Sequence, residues 1–169
     1  MEKVGILVVD KTGTLTEGHP SVTRVISVNS VSEDQLLALA ASVESNSEHP
    51  LALAIVDGAR QRNLRILPVS DFRSTTGGGV IGRVNGNEVI VGKPQMLGVS
   101  GVSEINGLEH KAAQLQAEGQ SVVYVAINGK IAGTVAVADP IKESTPPAID
   151  HLHRMGIKIF MALHNRMPE

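Results

Sequence analysis

A chain of 169 residues has room for one ordinary domain, or for one small domain carrying pieces of another. Its 15 basic and 17 acidic residues leave a net charge of −2, which gives no electrostatic case for nucleic acid or an anionic membrane surface, and Phe72, Tyr124 and Phe160 alone make no base-stacking platform. The lack of cysteine excludes disulfides and thiolate metal sites, no apolar run is long enough to cross a bilayer, and no secretory pattern opens the chain.

The first element, VGILVV over residues 4–9, is too short for a buried helix and reads as a fully buried strand of a parallel sheet. It stops at Asp10, and in such sheets reactive groups sit at the carboxyl ends of strands. Lys11, Thr12, Gly13 and Thr14 follow at once, supplying a cation, hydroxyls and an unhindered backbone. Pro20 to Val28 then alternates, which predicts a half-exposed strand opening a new unit. Ser32 with Gln35 three residues on is a capping-box pattern and predicts a helix from about Glu33 to Ser45. A second helix is expected from Pro50, a residue favoured in a first turn, with Leu51, Ala54, Ile55 and Ala59 on one face.

Ile66 to Val69 is expected as a short strand, and Asp71 to Thr76 as the lead into a run of glycines. Asn85-Gly86 and Asn128-Gly129 suit the left-handed angles of two-residue turns, so two hairpins are predicted around them. Between the hairpins, Leu108 to Ala117 forms an amphipathic helix ended by Gly119. Residues 20–137 thus read as an antiparallel sheet with helices on one face. From Asp139 a helix closed by Gly156 and the apolar strand IKIFMAL are what a parallel sheet requires. First and last strands are therefore expected to share one α/β unit, with the middle segment inserted and hinges near Gly18 to Pro20 and Ala138 to Pro140.

Asp10 to Thr16, DKTGTLT, resembles the phosphorylation motif of the P-type ion-pumping ATPases at every position. The resemblance implies that Asp10 accepts the γ-phosphate of ATP, a covalent use of a carboxylate. It also implies that Asp10 and the Thr12 carbonyl ligate Mg²⁺, and that Lys11 and Thr14 face the transferred group. Ser47 to Pro50, SEHP, is similar to the nucleotide-binding domain of the heavy-metal-transporting subgroup. By that likeness His49 packs on or hydrogen-bonds adenine, and Glu44 accepts a bond from its amino group.

Gly77, Gly79 and Gly82 form a GxGxxG string, but it runs into a strand and hairpin rather than a helix, so the Rossmann reading fails on context. In the metal pumps, glycines at these places let the backbone approach the nucleotide closely. At Val91 to Pro94, VGKP, copper pumps often carry Asn where this chain has Lys93, a residue able to pair with phosphate. His19, His110, His151, His153 and His164 form no recognisable zinc spacing and read as surface residues.

The implied architecture is α/β. An α+β inserted domain, an antiparallel sheet with helices on it, is flanked by pieces of a parallel-sheet haloacid-dehalogenase-like domain. Residues 1–19 and 138–169 would be phosphorylation-domain pieces and residues 20–137 the nucleotide-binding domain. The expected function is ATP binding, with Mg²⁺, in a cytoplasmic domain of a heavy-metal and copper-exporting pump. Its own partners would be the membrane and actuator domains; the fragment itself would be soluble and monomeric, with no nucleic-acid partner.

The resemblance stops after Met161, where the family reads Thr-Gly-Asp and this chain reads ALHNRMPE. The later lysine and the Gly-Asp-Gly-x-Asn-Asp segment are missing too, so nucleotide binding with negligible turnover is expected of this chain alone. Two other readings stay open. One is a small haloacid-dehalogenase-type phosphatase, disfavoured because Thr12 stands where such enzymes place a second aspartate. The other is a truncated nucleotide-binding regulatory protein.

Overall fold

A computed structural model describes residues 5–102, 105 and 107–162, and the side chains of all of these except Lys11, Thr12 and Ala162. Within it the chain forms two compact units, one from the segments up to Pro20 and from Asp139, the other from Ser21–Ala138.

In the first unit, strand β1 (Ile6–Asp10) leads directly into a π-helical turn over Lys11–Leu15. The chain returns to this unit through helix α5 (Thr145–Arg154) and strand β8 (Lys158–Ala162), which pairs with β1 in parallel, Asp10 opposite Ala162. Gly156, at φ 78°, ends α5 in the left-handed region that glycine adopts without strain. Of the expected strand IKIFMAL, Ile157 precedes β8, while Leu163 and the C-terminal departure from His164 on lie outside the described residues.

The expectation that β1 is fully buried is not met. Ile6 and Val8 are 60% and 64% exposed, and Phe160 on β8 is 55% exposed. Burial on both faces needs neighbouring strands and two helical layers, whereas within this unit the sheet has two strands and α5 is its one α-helix among the described residues.

The second unit holds strands β2 (Ser21–Ser27), β3 (Val69–Thr75), β4 (Gly79–Val84), β5 (Asn87–Gly92), β6 (Ser121–Ile127) and β7 (Lys130–Ala138). They form one antiparallel sheet in the order β2-β7-β6-β5-β4-β3. Both hairpins turn as expected, with Asn85 and Gly86 at φ 49° and 78°, and Asn128 and Gly129 at φ 49° and 74°.

Helices α1 (Glu33–Glu44) and α2 (Pro50–Gln61) pack on one face of this sheet. Leu36, Leu37, Ala40, Val43, Ile55 and Ala59 meet Val89, Val91, Val125 and Val135 there. The other face is covered as well, against the expectation of helices on one side. Helices α3 (Pro94–Val99) and α4 (Leu108–Ala117) place Met96, Leu97, Leu108, Ala112 and Leu115 against Ile90, Tyr124, Ala126 and Ala136. The strands carry the reason. SVVYVAI and the end of KIAGTVAVA are apolar at consecutive positions, the pattern of a sheet buried on both faces.

Residues 66–68 are not the start of a strand. The Leu67 amide is taken by Ser42 Oγ of α1 at 3.0 Å, so the segment is tied to the helix before it joins the sheet at Val69.

Candidate functional site

The second unit carries a cleft of about 340 Å³ where the C-terminal end of α1, the start of α2, the β3–β4 turn and the end of β5 converge. That volume lies within the range of small-molecule sites. Leu51, Ala52, Val80, Val91 and Val123 give it apolar walls, and Glu44, His49, Lys93 and a short run of hydroxyls and glycines supply its polar groups.

Glu44 is the last residue of α1 and only 6% exposed. Its carboxylate bonds to no other described group. Among the described residues no side-chain oxygen is both sealed and unpartnered, so the Glu44 oxygens stay reachable through the cleft that they line. Burial alone pushes its pKa from 4.5 up to about 7, because charge is costly in a site with little water. An acid of this kind is best served by a ligand that brings a donor.

Five residues on, His49 is the N-cap of α2 with an extended backbone, and Pro50 takes the first helical position, where no amide hydrogen is needed. The His49 Nδ1 accepts a hydrogen bond from the Leu51 amide at 3.2 Å. That bond assigns the tautomer: Nδ1 is unprotonated and the ring's proton sits on Nε2. The ring therefore offers the cleft one directed N–H donor and its π-face.

Opposite these side chains the main chain makes the β3–β4 turn. Gly78 donates to the Thr75 carbonyl at 2.9 Å, and Lys93 donates to the Gly78 carbonyl at 2.9 Å. Gly77 has φ 71° with nothing within 4 Å of a Cβ placed there, so its requirement is conformational. Gly79 has φ 148°, and a Cβ would lie 2.2 Å from the Val91 carbonyl oxygen. A side chain is strained by backbone angle at Gly77 and has no room at Gly79, and the cleft floor is left as bare backbone.

Of the residues singled out in the sequence for nucleotide contact, the cleft brings together Glu44, His49, Gly77 and Gly79. Gly82 is not in its lining. It borders a different cavity of about 460 Å³ with Asp71, Arg73 and Arg83, and a Cβ on it would strike Val69 Cγ1 at 2.5 Å. Its lack of a side chain serves sheet packing. Ser74, Thr75, Thr76 and Val123 line the cleft without having been expected, since nothing in their local pattern marks them.

In the first unit Asp10 is exposed at the carboxyl end of β1, and Thr14 is exposed in the turn after it. The side chains of Lys11 and Thr12 lie outside the described residues. What holds this turn is a segment that sequence reasoning passed over. The Asp139 carboxylate accepts from Thr16 Oγ1 at 2.5 Å, from the Gly18 amide at 2.9 Å and from the His19 amide at 3.1 Å. Lys142 Nζ donates to the Gly13 carbonyl at 2.7 Å, and Thr145 Oγ1 to the Leu15 carbonyl at 2.7 Å. The motif is thus anchored at three points by residues more than a hundred positions later.

No group of three or more His, Cys, Asp or Glu side chains converges among the described residues. The oxygens available at Asp10 and the Thr12 carbonyl are hard donors of the type Mg²⁺ takes, and Mg²⁺ is commonly held by one or two protein oxygens with water and phosphate completing its shell. The donor set fits a shared ion rather than an all-protein cage.

A parallel strand pair whose first strand ends in an aspartate, with an α+β unit of its own cleft inserted between the two strands, defines an α/β protein of the aspartate-ended, capped type. The chain belongs to the haloacid dehalogenase-like hydrolase family, whose profile matches residues 4–168. It is 47% identical over 161 residues to a copper-exporting P-type ATPase of Legionella pneumophila subsp. pneumophila, a match covering 95% of this chain and 22% of that protein. Its fold is similar to that of a zinc-transporting PIB-type ATPase solved in the E2.Pi state, with TM-score 0.80, 33% identity, and 94% and 25% of the two chains covered. The N-domain of HMA6, a copper-transporting P-type ATPase, matches 71% of this chain and 99% of its own, with TM-score 0.61 and 34% identity. The chain spans about a fifth of the length of the curated relatives it matches. Among the described residues no helix is long and apolar enough to cross a membrane.

Proposed function

We propose that this chain is the ATP-binding part of a heavy-metal-translocating P-type ATPase, with copper the cargo for which most of its relatives are named, flanked by portions of the phosphorylated domain. The observation that carries the reading is the cleft itself. A buried carboxylate without a partner, an imidazole whose proton is held on Nε2, and a floor of bare backbone line one apolar pocket. Adenine suits these groups: its amino group donates to Glu44, its ring nitrogens accept from His49 Nε2, and its faces meet Leu51, Val91 and Val123. Gly77 and Gly79 leave room for the ribose and phosphates.

In the full-length pump Asp10 is the acceptor. Its carboxylate oxygen forms the new bond to the γ-phosphorus while the bond to the ADP oxygen breaks, leaving an aspartyl phosphate and ADP. Bound Mg²⁺ supplies charge neutralisation on the phosphate oxygens, with the Asp10 carboxylate and Thr12 carbonyl as the oxygens this chain offers it. Asp139, Lys142 and Thr145 act on Asp10 by fixing the backbone of residues 13–19.

Titrating the chain with ATP and following its amide resonances tests the binding half: signals of residues 47–49, 51–52 and 76–79 should move together. Their failure to shift at millimolar ATP overturns it. The transfer half is tested with γ-labelled ATP. Among the described residues no group of metal-binding side chains converges on Asp10, so this chain alone should hold no acid-stable label, and a label that disappears in Asp10→Asn would refute that expectation.

A further inference from the structure

The cleft is electrically lopsided. Its lining holds one carboxylate, Glu44, where α1 ends, and one ammonium group, on Lys93, just past β5. The other lining residues carry no acidic or basic side chain, apart from His49, whose Nδ1 accepts from the amide it caps. The Lys93 backbone is fixed against the glycine turn by the bond from its amide to the Gly78 carbonyl, 2.9 Å. Its side chain is exposed and has no ion pair or hydrogen bond with any described residue. A compact, strongly hydrated charge on a flexible stem, with nothing to neutralise it, stands at the rim of a pocket whose deepest polar group is an acid.

We infer that Lys93 reads phosphate charge: it makes affinity depend on how many phosphates follow the nucleoside, while Glu44 and His49 read the base. This rests on the nucleotide reading of the cleft. The ligand that answers both ends has an amino-bearing, uncharged head and an anionic tail, which describes adenosine diphosphate and triphosphate and leaves adenosine using one end only. The contribution of an exposed ammonium to a phosphate is modest, about threefold to fivefold in affinity, and salt removes it as the screening length falls from about 14 Å to about 4 Å between 50 and 500 mM.

The test is calorimetric titration of the whole chain with adenosine, AMP, ADP and ATP, without magnesium so that the phosphates are bare, at low and at high salt. In the wild type, affinity should climb along the series at low salt and flatten at high salt. Lys93→Met should lose about threefold to fivefold for ADP and ATP while staying within about twofold for adenosine. Lys93→Arg should keep the climb, and Lys130→Asn, an equal charge change at the far end of the sheet beside Gly129, should behave as wild type. The inference is overturned if the wild-type series is flat at low salt, or if Lys93→Met weakens adenosine as much as ADP, which would make Lys93 a prop for the glycine turn. Absence of binding by all four compounds overturns the nucleotide reading itself, a result distinct from either of those.

Discussion

Replacing Glu44 by Gln should make the protein more stable, and only above the pH at which an ordinary carboxyl ionises. In the folded chain the acid has a pKa of about 7 against an ordinary 4.5, so between those values the folded state holds a proton that the unfolded state has released. Stability therefore falls as pH rises through this window and levels off above it. At about 1.4 kcal/mol per pKa unit, the full penalty above pH 7 is about 3 kcal/mol, an undiminished figure because the residue is 6% exposed. Glutamine carries no charge at any pH. Urea unfolding followed by circular dichroism should give nearly equal stabilities for the two proteins near pH 4 and a variant more stable by about 3 kcal/mol near pH 8, or roughly 10 °C in Tm. A difference that stays constant across that range, or a variant weaker at the alkaline end, refutes the assignment of an unpaired, desolvated carboxylate. A ligand amino group donating to Glu44 would pull its pKa down again, so ATP binding near neutral pH should release protons and its calorimetric heat should vary with the buffer.

His49→Ala should cost about 1 kcal/mol through loss of the cap on α2 and abolish the ATP-induced shifts, whereas His49→Asn should restore the stability alone, since asparagine caps well but offers a different contact. Gly79→Ala should lower stability by about 3 kcal/mol or more in urea titration because its Cβ meets the Val91 carbonyl, while Gly77→Ala, with open space but a left-handed φ, should cost only about 1–2 kcal/mol. Asp139→Ala removes the acceptor of the Gly18 and His19 amides, and hydrogen exchange at both should quicken by about tenfold or more.

Much of the second unit was readable because its signals are local. Asn85-Gly86 and Asn128-Gly129 specify their own turns, Ser32 caps α1 through the Gln35 amide at 3.1 Å, and Pro50 marks the first turn of α2. What failed depends on neighbours distant in the chain. Whether β1 is buried is set by what lies beside it, not by ILVVD, and the second helical layer was visible only in the unbroken apolar runs of β6 and β7. Helix α3 went unseen because six residues give no period to detect, although Pro94 marks its start. The cleft was half legible. SEHP and two of the glycines mark it, whereas Gly82, which shares their spacing, lies outside the lining and leaves space for Val69, and Asp139 reveals itself only when the chain folds back on the motif.

The ring of His49 has one nitrogen committed to the backbone of α2 and another free for whatever enters. Those two nitrogens are electronically joined. When a guest draws the proton on Nε2 toward itself, electron density shifts across the imidazole and Nδ1 becomes the stronger acceptor for the Leu51 amide. Occupancy should then stiffen the opening turn of that helix, so a fraying helix end would double as a reporter of whether the pocket is filled.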